Sequence, residues 1–81
     1  MELKELKLIF DSGALKSAVV TTVPMETGYM LIVKDNKNKD HIMTAQRSGK
    51  HEPRVFKSID AAVSNAEKIG FKEINVDLRK K

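Results

Sequence analysis

PRVFKSIDAAVSNAEKIGF, residues 53–71, carries a helix with both ends written in. Ser58 is a preferred N-cap, because its hydroxyl accepts from a free N–H of the first turn. Asp60 in that turn suits the positive end of the helix dipole. Ile59, Ala62, Val63, Ala66 and Ile69 fall on one face at helical spacing. Gly70 is the natural stop, and Phe71 after it can make the apolar contact of a Schellman ending. The residues before it, 54–56 (RVF), read as extended chain that continues or pairs with the strands upstream. The stretch 47–53 (RSGKHEP) reads as a basic loop.

Working outward, ELKELKLIFDS at 2–12 puts Leu3, Leu6 and Phe10 on one stripe with Ile9 beside it. Glu2 and Glu5 lie at its start and Gly13 just past its end, so a short amphipathic helix is expected. A strand through KLIF is the competing reading. SAVVTTV at 17–23 is β-branched and ends at Pro24, which has no N–H for a ladder. METG leads as a loop into YMLIVK at 29–34, apolar enough for a central strand buried on both faces. DNKNKD at 35–40 is turn chemistry, and HIMTAQ at 41–46 reads as a third strand of a meander. INVDL at 74–78 alternates, with Ile74, Val76 and Leu78 expected inward, and RKK is a frayed tail. The order α-β-β-β-α-β predicts an α+β two-layer domain, an antiparallel sheet of three to four strands with helices on one face.

The chain has 81 residues, room for a single domain over 1–81. A chain this size buries about 60–65 % of its unfolded surface, so stability is thin and homodimerisation would help. Phe10, Tyr29, Phe56 and Phe71 are the whole aromatic content, which leaves few rings for bases to stack on. The absence of cysteine excludes disulfides, thiolate metal sites and thiol nucleophiles, and fits a reducing cytoplasm. The charged MELKELKLIF start is not a signal peptide, and no apolar run approaches ~18 residues. The first helix mixes Lys4 and Lys7 with Glu2 and Glu5, a poor membrane-binding face.

The charge is unevenly placed. Residues 34–57 hold seven cations (Lys34, Lys37, Lys39, Arg47, Lys50, Arg54, Lys57) against Asp35, Asp40 and Glu52. That difference equals the whole formal charge of +4, so the remainder is neutral. His41 and His51 lie in the same segment and add charge when protonated. A positive segment on a neutral remainder suits a phosphate backbone, whose counterions a few Lys and Arg release. The candidate nucleic-acid-binding residues are Lys37, Lys39, Arg47, Lys50, Arg54 and Lys57, with Thr44, Gln46 and Ser48 as hydrogen-bond donors or acceptors. Two other readings stay open: a solvated hairpin tip, and a surface for a protein partner.

Catalytic chemistry has little to stand on. The sequence holds no G-x-S-x-G, P-loop, H-E-x-x-H or G-x-G-x-x-G pattern. Asp40-His41 and His51-Glu52 are the one group to weigh as a metal site, and their spacing matches no metal motif. No enzyme activity, cofactor or metal is expected.

The order helix, three-stranded meander, helix resembles double-stranded RNA-binding domains. Where that family opens its second helix on a Lys-Lys-x-Ala-Lys signature, this chain reads Lys57-Ser58-Ile59-Asp60-Ala61-Ala62. Phe56, Ser58 and Ala62 match the Phe-x-Ser/Thr-x-x-x-Ala pattern of integrase arm-binding domains, which resemble residues 28–69 and lay a three-stranded sheet in the major groove. LKLIFDSGALKSAVV, AQR, PRVFKSIDAAV and IGF together resemble small partition- or replication-associated proteins of conjugative plasmids. That resemblance implies a mobile-element setting in bacterial cytoplasm. The expectation is a cytoplasmic nucleic-acid-binding accessory protein, with DNA favoured over RNA. The alternative is an interaction module, a homodimer or a partner of a plasmid-maintenance protein, that uses the edges of the YMLIV strand and the last strand.

Overall fold

A computed structural model describes residues 2–23, 27–47 and 49–78, with the side chains of Gln46, Arg47, Lys50 and His51 outside that description. Pro24, Ser48 and the RKK tail lie outside the described residues. The elements in chain order are α1 (Leu3–Asp11), β1 (Leu15–Thr22), β2 (Tyr29–Asp35), β3 (Asp40–Ile42), β4 (Thr44–Arg47), β5 (Lys50–Pro53), α2 (Ile59–Ile69) and β6 (Asn75–Asp77). The architecture is α+β as expected: a four-stranded sheet in the order β3-β2-β1-β6, two helices, and a separate β4–β5 hairpin.

α2 starts and stops where its residues dictate. The Ser58 hydroxyl accepts from the Ala61 N–H at 3.1 Å. At the other end the N–H groups of Gly70 and Phe71 both donate to the Ala66 carbonyl, each at 3.2 Å. Gly70 has φ +132, and a Cβ there would collide with the Phe10 ring, so the stop is also a packing site. Phe10 meets Phe71 edge to face with centroids 4.9 Å apart. This joins the end of α1 to the end of α2. KLIF is therefore helical: α1 opens with the Glu2 N–H donating to the Glu5 carboxylate at 3.3 Å, and its Leu6 is fully buried.

The core lies between the helices and one face of the sheet. Ala18 and Val20 of β1 pair with Val33 and Leu31 of β2, and all four are fully buried. Leu6, Ala62, Ala66 and Ile69 close over them, α2 lying on β1 and β2 and α1 on α2. Full burial of side chains such as Leu6, Leu31 and Ile69 contributes about 1.5–3 kcal/mol each.

Five expectations need correction. β2 is central but buried on one face; Val19, Met30 and Ile32 on the helix-free face are half-buried. β6 pairs parallel to β1, so the sheet is mixed. β6 is also an edge strand that the helix layer does not cover, which leaves Val76 and Leu78 44 % and 47 % exposed rather than inward. Its alternation is real, but an edge position gives the apolar side little to pack on.

The remaining two corrections share one cause. HIMTAQ is not one strand. β3 follows β2 until the Met43 N–H donates to the Leu31 carbonyl at 2.9 Å. The chain then leaves as β4 and returns as β5, so the stretch read as a basic loop is half of an antiparallel hairpin (Arg47↔Lys50 through Thr44↔Pro53). It rejoins the edge where Tyr29 and Phe56 exchange both backbone bonds, at 2.9 and 2.7 Å. Continuing the β2–β3 register would set residue 45 opposite Tyr29, and Phe56, eleven residues later, takes that place. The edge strand is thus one ladder with a hairpin looped out of it. Gly28 lets the two ends meet: its φ is +136, and a Cβ would lie 2.5 Å from Val55 Cγ1 and 3.0 Å from the Phe56 carbonyl oxygen.

Candidate nucleic-acid interface

The β2–β3 turn is built on one carboxylate. Asp35 Oδ1 accepts from the N–H groups of Lys37 and Lys39 at 2.8 and 2.9 Å. The Asp35 N–H donates to the Lys39 carbonyl at 2.9 Å, and the Asn38 N–H donates to the Asp35 carbonyl at 3.0 Å with Asn38 at φ +65. Asp35 Oδ2 lies 2.9 Å from His41 Nε2. The His41 hydrogen bond, helped by the Lys39 and Lys37 N–H groups and opposed by desolvation, lowers the Asp35 pKa to about 2. The carboxylate is fully engaged in shaping the turn, while the Lys37 and Lys39 side chains are exposed.

The turn is braced from behind. The Asn36 N–H donates to the Ala14 carbonyl at 3.0 Å and its side-chain amide to the Gly13 carbonyl at 2.8 Å. Lys16 Nζ donates to Asn38 Oδ1 at 3.4 Å. Lys34 faces Asp40 across the strands, 3.8 Å away. Lys16 lies outside the basic segment, so charge counting along the chain passes over it; only the β1–β2 register brings it here.

Arg47 and Lys50 face one another as the last pair of the β4–β5 hairpin. The side chains of both lie outside the described residues, as do that of Gln46 and the whole of Ser48. Thr44 Oγ1 is buried at the root of the hairpin with no partner among the described residues, so it does not face a ligand from the surface. Arg54 is exposed, its guanidinium carbon 5.1 Å from the centroid of the Phe56 ring, and Lys57 follows, exposed, just before the α2 cap. Glu52 on β5 and Asp60 in the first turn of α2 are exposed carboxylates in this half of the edge.

The candidate residues therefore share one edge of the sheet but do not merge into a single cluster. Lys37 and Lys39 stand at the Asp35 end of β2, and Arg54 and Lys57 near its Tyr29 end. At ~3.3 Å per residue those ends are about 20 Å apart. The hairpin with Arg47 and Lys50 leaves from between them.

Two other features belong to the alternative readings. His41 is engaged with Asp35, and among the described residues no group of three or more His, Asp or Glu gathers as a metal would need. On the helix-free face Val19, Ile32 and Ile42 form one cross-strand row. β2 is paired on both sides, so its edge does not serve strand addition; β6 is an edge strand. Among the described residues no helix is long and apolar enough to cross a membrane. No family model, no curated protein and no solved structure matches this chain.

Proposed function

We propose that the chain is a non-enzymatic nucleic-acid-binding accessory domain, set in a plasmid or other mobile element, that holds DNA by its phosphates along the β3 edge of the sheet. One observation carries the reading. Lys37, Lys39, Arg54 and Lys57 are all exposed along that edge, the Arg47–Lys50 pair ends the hairpin between them, and the neighbouring carboxylates Asp35 and Asp40 are engaged with His41 and Lys34. The ~20 Å between the two ends corresponds to about six base pairs of helix axis.

The test is a binding titration on a short mixed-sequence duplex at two salt concentrations. Six neutralised phosphates give a slope of log affinity against log salt of about −5.4. The double change Arg47→Ala with Arg54→Ala reduces that slope by about 1.8 and leaves the domain folded. An unchanged slope, or no retention on DNA at low salt, refutes the reading.

A second reading has an observation of its own. The Val19–Ile32–Ile42 row is an apolar strip on the face opposite the helices, with Ile42 37 % exposed. Such a strip suits a protein partner or a second copy. Solution mass separates these: a monomer at high concentration removes the second copy.

A further inference from the structure

Lys16 is where the basic edge extends beyond the basic segment. β1 carries an irregularity between Leu15, which faces Asp35, and Ser17, which faces Lys34. Lys16 is the extra residue between them. A bulge re-aims its side chain, and here Lys16 Nζ reaches Asn38 Oδ1, 3.4 Å away, between Lys37 and Lys39 in the chain. Three lysines thus stand on one turn whose backbone is fixed by the Asp35 carboxylate and by the Asn36 bonds to Gly13 and Ala14. A site ordered before binding gives up less freedom when the ligand arrives.

The rings are placed the opposite way. Phe56 and Phe71 are 4 % and 7 % exposed, Phe10 is against Phe71, and Tyr29 is packed against the core. The Phe56 ring has the Arg54 guanidinium over it. Proteins that grip single strands rely on open rings for base stacking, and this edge offers none. What remains is counterion release, which is stronger on a duplex, about 0.9 per phosphate against about 0.7 on a single strand. Two cation clusters held ~20 Å apart by β2 also match a stiff ligand better than a flexible one.

We propose that the ligand of this edge is duplex nucleic acid gripped only by its phosphates, and that Lys16 is part of the grip. The proposal rests on the nucleic-acid reading above and narrows it. With Lys16 as a seventh contact, the two coefficients give a duplex preference of roughly tens-fold at ~50 mM salt.

The experiment is fluorescence anisotropy on the full chain with a mixed-sequence duplex, a base-shuffled duplex of the same length and each single strand, over a salt series. Lys16→Ala and Lys16→Arg are compared with Lys68→Ala, an exposed position in the last turn of α2. The expected result is equal affinity for the two duplexes and weaker binding of the single strands. Lys16→Ala lowers the salt slope by about one, while Lys16→Arg and Lys68→Ala leave it in place. Thermal melting of Lys16→Ala matches the parent, since the side chain is exposed. Single strands bound as tightly as duplex, or an unchanged slope in Lys16→Ala, overturn this proposal while the nucleic-acid reading stands. No binding of any probe at low salt overturns both.

Discussion

Deleting residues 45–55 separates the sheet from its hairpin. The deletion joins Thr44 directly to Phe56. Met43 is opposite Leu31 and Phe56 opposite Tyr29, two residues apart along β2, or about 6.6 Å. One intervening residue spans that distance in extended chain. The phase is kept as well, because Met43 and Phe56 both belong to the buried face, at 1 % and 4 % exposure. The shortened edge strand should therefore pair with β2 without a break. The fold loses the Arg54 N–H bond to Met43 and the Arg54 guanidinium over Phe56. It gains the closure entropy of a ~12-residue excursion, about 2 kcal/mol. The deletion removes Arg47, Lys50 and Arg54, half of the six cations named for binding. On those six contacts alone, raising salt from about 50 to 200 mM should weaken binding about 2,000-fold in the parent and about 40-fold in the deletion variant; with Lys16 as a further contact in both, the factors are about 6,000 and about 150. Amide NMR of the core reports the fold, and anisotropy on a duplex reports the binding. A variant that unfolds refutes the continuous-ladder description. A folded variant with the parental salt dependence removes the hairpin from the interface.

Two further predictions concern the frame. Gly70→Ala should destabilise the domain more than Gly13→Ala in urea melts. Both carry the strain of positive φ, about 1–3 kcal/mol, but Gly13 has open space and Gly70 meets the Phe10 ring. Combining Gly70→Ala with Phe10→Leu should recover about 1 kcal/mol of the excess, and strict additivity would refute the collision. Asp35 is the pH element. Its folded pKa is lowered from 3.8 to about 2, so its contribution is fully present above pH 3.8 and is lost as pH falls through about 2. Carboxyl NMR should follow Asp35 to a midpoint near 2, with the Lys37 and Lys39 amide signals moving alongside it; a midpoint near the ordinary value refutes the pinned turn.

What could be read in the chain was what depends on near neighbours. Ser58 and Gly70 mark α2 because a cap bond and a positive φ involve residues a few positions away. Asp35 was legible as turn chemistry, though its two-N–H grip was not. The β4–β5 hairpin was missed because KHEP has neither alternation nor β-branched residues; the Ser48-Gly49 dipeptide was the available signal. Val76 and Leu78 alternate as an inward pair would, and only the sheet order reveals that they sit at an edge. Lys16 depended on register, and register is set by the pairing of β1 with β2. The charge asymmetry was visible from counting, but its spread into three groups along one edge followed from where the chain leaves β3 and returns.

The parallel pairing of β6 with β1 has a consequence for how the chain is made. Val19–Thr21 wait for residues 75–77, which emerge long after β1 and β2. Until then one side of β1, a β-branched strand, offers unpaired peptide groups to any extended segment nearby, including the same strand of a neighbouring nascent chain. Among the described residues, three exposed ones, Asn75–Asp77, later pair along that side. Removing β6 should therefore show first as poor yield and aggregation of newly made protein.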